Sequence, residues 1–159
     1  MSFIGDQPTP VPTAPESPRG FHLLLEFYRC GRDILTSSDS LEGILREAAS
    51  LASVHVLQSY FYRFEGGGVT GVLVLAESHL SIHTWPEHRY AAVDFFTCGS
   101  GRPQRGLRCL RDGLQAREMK AITVMRGSSS EFGSLITFRS CGRLDTERDL
   151  SRTLPDCFF

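Results

Sequence analysis

The sequence has almost no excess of charge of either sign: 17 Lys and Arg stand against 18 Asp and Glu, a formal net charge of −1. So balanced a chain offers no electrostatic reason to hold nucleic acid or an anionic membrane. No apolar run approaches the roughly 20 residues that cross a bilayer. The start is Pro-rich and lacks the basic-then-apolar pattern of a signal peptide. The five cysteines, Cys30, Cys98, Cys109, Cys141 and Cys157, are odd in number and contain no CxxC pair. That argues against a disulfide framework or a zinc–thiolate site and for a reducing cytoplasm. A G-x-S-x-G elbow is missing too, so no motif marks a hydrolase serine, although triads are recognised by geometry rather than spacing. What remains, at 159 residues with 41% hydrophobic and 22% charged, reads as one soluble globular domain with a real core.

Residues 1–19 hold prolines at 8, 10, 12, 15 and 18 and cannot bury enough surface to order themselves, so they read as a disordered tail. Phe21 to Tyr28 reads as a strand, with Phe21, Leu23, Leu25 and Phe27 alternating onto one face. Asp39 and Glu42 resemble a capping box for a helix whose inward face is Leu41, Ile44, Leu45, Ala48 and Leu51. Val54 to Phe64 returns to β character before the turn Gly66-Gly67-Gly68. Val69 to Ala76, Leu80 to Trp85 and Tyr90 to Cys98 read as three further strands, with a turn at Pro86 to Arg89. A second helix starts at Pro103 with Leu107, Leu110 and Leu114 inward. Ala121 to Met125 reads as a last short strand, and 128–159 as a polar segment without assignable structure. Strands in series with two helices predict an α+β two-layer sandwich: an antiparallel sheet with both helices packed on one face.

The densest chemistry lies in AESHLSIHTWPEH, Ala76 to His88, with three histidines, two serines, two glutamates and the only tryptophan. His79 and His83 would share a face as zinc ligands on a helix, but Leu80, Ile82, Thr84 and Trp85 read as strand, and no third ligand is evident. A single histidine here would ordinarily be a half-buried strand residue. The crowding of Glu77, Ser78, His83, Glu87 and Cys98 argues for more than that.

ESHLSIHTWPE followed by YAAVDFFTCG resembles the core signature of bacterial S-adenosylmethionine decarboxylases of the short, pyruvoyl-dependent type, which are made as proenzymes. GFHLLLEFYRC resembles that family's first strand, and YRFEGGGVTGVLVLAESH its approach to the cleavage site. The similarity is detailed from Gly20 to Gly99 and looser through Arg126-Gly127. It implies a decarboxylase domain over 20–127, self-cleaved between residues 77 and 78. The cofactor would be a pyruvoyl group derived from Ser78, the electron sink for decarboxylation through a Schiff base with the substrate amine. Ser78 would attack the carbonyl of Glu77 to make an ester, whose elimination and hydrolysis leave pyruvate at the head of the new chain.

By the same resemblance His83 is the processing acid/base and Thr70 a supporting hydroxyl that is commonly serine in relatives. Cys98 is the proton donor in turnover, since a free thiol is mostly protonated at neutral pH. Phe64 and Trp85 match aromatic positions beside the nucleoside of S-adenosylmethionine, and Glu87 an acidic group on the ribose hydroxyls. On isolated strands such aromatics are as often core, and a loop glutamate merely solvated. No role falls to His79 or His88, and no metal is implied. The product would be decarboxylated S-adenosylmethionine, the aminopropyl donor for spermidine.

Relatives work as homodimers of cleaved protomers, two α and two β chains, with sites between subunits. Ser78 and His83 have opposite parity on a strand, which fits Ser78 and Cys98 from one protomer with Phe64, Thr70, His83 and Glu87 from the other. The Arg-rich SGRPQRGLRCLRDGL departs from the more acidic, lysine-rich relatives. Two other readings stand beside this one: a pyruvoyl decarboxylase of arginine or ornithine, against which Phe64, Trp85 and Glu87 speak, and an inactive regulatory paralogue, which would be expected to lack Ser78, His83 or Cys98.

Overall fold

The structure, a computed structural model, describes residues 19–127 and, as backbone, 136–141. In chain order it runs β1 (Gly20–Tyr28), a 3-10 turn at Ile34–Thr36, α1 (Ser38–Leu51), β2 (Val56–Arg63), β3 (Val69–Leu75) and β4 (Ser78–Trp85). A second 3-10 turn at Pro86–His88 leads to β5 (Tyr90–Thr97), and a third at Pro103–Gly106 runs straight into α2 (Leu107–Gly113), followed by β6 (Glu118–Arg126) and β7 (Ile136–Cys141). Among the described residues the strands form one antiparallel sheet in the order β2-β3-β4-β5-β1-β6-β7. β1 thus lies between β5 and β6, so the first strand of the chain closes the centre of the sheet.

Period-2 alternation decides which face is which. Leu23, Leu25 and Phe27 of β1, Leu80 and Ile82 of β4, and Ala91, Val93 and Phe95 of β5 are buried in one cluster with Leu41, Leu45 and Ala48 of α1 and Leu107 and Leu110 of α2. Both helices therefore cover the same face, as the expected two-layer sandwich requires. The opposite face has no helix on it among the described residues.

Three local expectations are corrected. The cap of α1 is Ser37, whose hydroxyl accepts from the Ser40 amide at 3.2 Å, rather than the Asp39/Glu42 pair. Glu42 instead accepts from Ser59 of β2 and pairs with Arg46, each at 2.7 Å. Leu51 is 46% exposed at the helix end, while Ala49 and Ala52 take the inward positions. β6 is longer than Ala121 to Met125 because Met119 also alternates inward, and it is not the last strand: β7 pairs with it inside the segment read as unassignable. The Pro-rich segment 1–18 and residues 128–135 and 142–159 lie outside the described residues.

Candidate active site

β3 and β4 form a hairpin in which Leu75 pairs with Ser78, leaving Ala76-Glu77 as a two-residue loop. Such loops match the twist of their strands when their central residues have positive φ, which is why Asn and Gly are favoured there. Neither Ala76 nor Glu77 has positive φ. The misfit falls on the next residue: Ser78 has φ of 149°, a region that residues with a Cβ occupy at a cost of about 1–3 kcal/mol. The strain sits on the serine of the Glu77–Ser78 peptide.

The carbonyl of that peptide is held. The Cys98 amide donates to the Glu77 carbonyl oxygen at 2.9 Å, extending the β4–β5 ladder one step past Ser78. Attack of the Ser78 hydroxyl on this carbonyl would place negative charge on the oxygen that Cys98 N–H already faces. That is the geometry of an oxyanion-stabilising donor. On the other side, the Ala76 amide donates to the His55 carbonyl at 2.9 Å, and His55 binds both carboxylate oxygens of Glu77. Glu77, Ser78 and Cys98 are thus gathered at one end of β4.

The remaining candidates gather at the other end. Thr70 pairs with His83 across β3 and β4, and its hydroxyl is hydrogen-bonded to His83 Nδ1. The Phe64 ring lies 5.9 Å from the His83 ring and the Trp85 ring 4.2 Å from it. Trp85 in turn stacks on Tyr90 at 5.1 Å, and the Tyr90 hydroxyl donates to Glu26 of β1. Burial, with that hydrogen bond to Glu26, pushes the Tyr90 phenol above its ordinary range. Glu87 and His88 are exposed on the short 3-10 turn beside this group.

Five residues of extended chain separate Ser78 from His83, about 16 Å at 3.3 Å per residue. His83 therefore does not reach the Ser78 of its own chain. His79 and His83 share the open face of β4 but stand about 13 Å apart by the same measure, too far to share one ion. Sequence reasoning missed three groups: Tyr90 and Glu26, the His55 grip on Glu77, and a cluster of His22, His79 and Phe96 on the open face, with rings 5.3–6.1 Å apart. Strand parity places the last together, but only the β1–β5–β4 order makes them neighbours.

The sequence model of the S-adenosylmethionine decarboxylase family matches residues 21–127, from the start of β1 to the residue after β6. The chain belongs to that family. Curated S-adenosylmethionine decarboxylase proenzymes similar to it include those of Thermosipho melanesiensis and Thermotoga maritima, each 41% identical over 115 residues, which span 72% of this chain and 88% of the relative. The proenzyme of Thermococcus onnurineus is 40% identical over 109 residues, 68% of this chain and 77% of its own. The crystal structure of the adenosylmethionine decarboxylase from Aquifex aeolicus superposes with a TM-score of 0.66 at 33% identity, covering 72% of this chain and 96% of that one. These decarboxylases depend on a pyruvoyl group formed from a serine on self-cleavage, and the α+β sheet-and-helix architecture is shared.

Proposed function

We propose that this chain is a self-processing S-adenosylmethionine decarboxylase that cleaves between Glu77 and Ser78 and takes its pyruvoyl group from Ser78. The observation that carries the assignment is the hairpin itself. A serine under backbone strain follows a carbonyl whose oxygen already accepts a hydrogen bond from Cys98 N–H. Attack of Ser78 Oγ on the Glu77 carbonyl carbon exchanges the amide for an ester and frees the Ser78 nitrogen, releasing the strain. Removal of the Ser78 α-proton then expels the Glu77 carboxylate and leaves dehydroalanine. Its imine tautomer takes up water and loses ammonia, ending as a pyruvoyl group. Each step moves a proton, so a base must stand within hydrogen-bond reach. His83, oriented through Nδ1 by the Thr70 hydroxyl, fits that role, and its distance from Ser78 along β4 favours its supply from a second copy.

A pyruvoyl carbonyl at the head of β4 supplies the electron sink that decarboxylation of an amino acid needs. Around it Cys98 Sγ would return a proton to the substrate Cα. The half-buried Trp85 and the exposed Phe64 would offer ring faces to the adenine or the sulfonium, and Glu87 a carboxylate to the ribose. The product, decarboxylated S-adenosylmethionine, serves polyamine synthesis, and no helix among the described residues is long and apolar enough to cross a membrane. Among the described residues Cys30, Cys98 and Cys109 are free thiols, which fits a reducing cytoplasm.

The test is mass spectrometry of the purified protein with a ¹⁴CO₂ assay on carboxyl-labelled S-adenosylmethionine. Two chains, 1–77 and 78–159, the second beginning with a carbonyl reactive to hydrazine, are expected, together with CO₂ release. Ser78→Ala should give one intact, inactive chain. A wild-type protein that stays uncut after long incubation defeats the assignment.

A further inference from the structure

His55 stands just before β2, 22 residues from Glu77, and makes three hydrogen bonds to the hairpin loop. Its carbonyl accepts from the Ala76 amide at 2.9 Å, its amide donates to Glu77 Oε2 at 3.0 Å, and its Nδ1 lies 2.9 Å from Glu77 Oε1. The bonds from His55 hold the Glu77 carboxyl below the usual carboxylate range. The residue whose carbonyl is to be attacked is therefore gripped by its side chain from the β2 side and by its carbonyl oxygen from the β5 side. With Glu77 held at these two points and Ser78 paired with Thr97 in the ladder, the peptide between them has little freedom to bring Ser78 back to negative φ.

We propose that His55 is a positioning residue for self-cleavage: its imidazole fixes the Glu77 carboxylate so that the Glu77–Ser78 peptide is kept in the strained geometry from which the serine attacks. The inference rests on cleavage at Glu77–Ser78 and adds to it a residue that never touches the reacting atoms. The His55 side chain is 82% exposed, and exposed pairs of this kind add little to stability. The imidazole's contribution is thus to geometry at the scissile bond rather than to the fold.

The experiment follows cleavage of freshly translated full-length precursor over time for wild type, His55→Ala and His55→Asn. Asn carries an amide nitrogen near the place of Nδ1. Thermal melting is compared in the uncleavable Ser78→Ala background. His55→Ala should cut about ten- to a hundredfold more slowly, the scale on which small misplacements act, with an unchanged melting temperature. His55→Asn should recover most of the rate, and once cleaved, all three should decarboxylate with equal kcat. Wild-type cleavage rates in His55→Ala would overturn the proposal. So would slow cleavage in both variants accompanied by a lowered melting temperature, which marks a role in folding only. An uncut wild type would instead bring down the cleavage assignment itself.

Discussion

His22 is the residue on the open face whose environment is least accommodating. Its Nδ1 accepts from Arg126 at 3.3 Å, while its Nε2 is buried without a hydrogen-bond partner, 3.7 Å from Asp94. Burial first of all lowers its pKa from the usual 6.5, and Arg126 and His79 push the same way against Asp94. A histidine whose folded pKa is depressed is protonated more readily in the unfolded chain. The stability this contributes is present above about pH 6.5 and lost as pH falls through the lower folded value. We expect urea unfolding midpoints at pH 7.5 and 5.5 to differ more for wild type than for His22→Gln, which keeps the bulk without the titration. Equal differences in both proteins would show that His22 does not titrate in this way. At this scale the sequence was informative about residue type and silent about neighbours. Ser78 and His83 could be singled out as candidates because they sit in a dense run, and Cys98 because of the FFTCG around it, whereas His55, set apart from both and paired with Glu77 only by the fold, could not.

Thr84 shows how the elements lock the site together. It is buried on the helix-covered face of β4, and its hydroxyl donates to the Leu35 carbonyl at 2.8 Å while accepting from the Val69 amide at 2.8 Å. One side chain thus joins the 3-10 turn before α1 to the start of β3, next to the His83–Thr70 pair. Thr84→Val preserves shape but leaves a buried carbonyl and a buried amide unpaired, each costing about 1–3 kcal/mol. A loss of at least 1 kcal/mol in chemical denaturation is expected, and a change within error would show that the strands relax to satisfy both groups. The elements themselves were largely readable from periodicity. β1 alternates cleanly from Leu23 onward, with Phe21 only half-buried at its start, and the leucines of α2 sit where their spacing put them. The failures are at ends, where the pattern thins. Ser37 outcompetes Asp39 as cap because its hydroxyl reaches the Ser40 amide, and Leu51 lies beyond the reach of the sheet. Register was not readable at all: that Thr70 meets His83 and Leu75 meets Ser78 follows from a two-residue loop whose closure the sequence does not announce.

At the scale of the molecule, the sheet has one face under helices and, among the described residues, no helix on the other. The helix-free face carries Val72, Trp85, Phe96 and Ile122 half-buried, and Tyr60, Tyr62 and Val74 are 67%, 53% and 44% exposed at its β2–β3 edge. An apolar surface of this kind favours association, and the division of the candidate residues points the same way. Glu77, Ser78 and Cys98 stand at one end of β4, and Thr70, His83, Phe64 and Trp85 about 16 Å away at the other. A second copy laid antiparallel across the open face would bring the two ends together twice, making two sites from two incomplete halves. Subunit mixing tests this. Ser78→Ala alone should never be cut, and His83→Ala should be cut about 10²–10⁴-fold more slowly than wild type. When the two are co-expressed and purified as a mixed dimer, the intact His83 of the Ser78→Ala subunit faces the intact Ser78 of its partner. The His83→Ala chain should then be cleaved at a rate near wild type, and one site per mixed dimer should decarboxylate. If the His83→Ala chain in such a dimer is cut no faster than when alone, each protomer processes itself, and His83 must reach its own Ser78 by a rearrangement of β4.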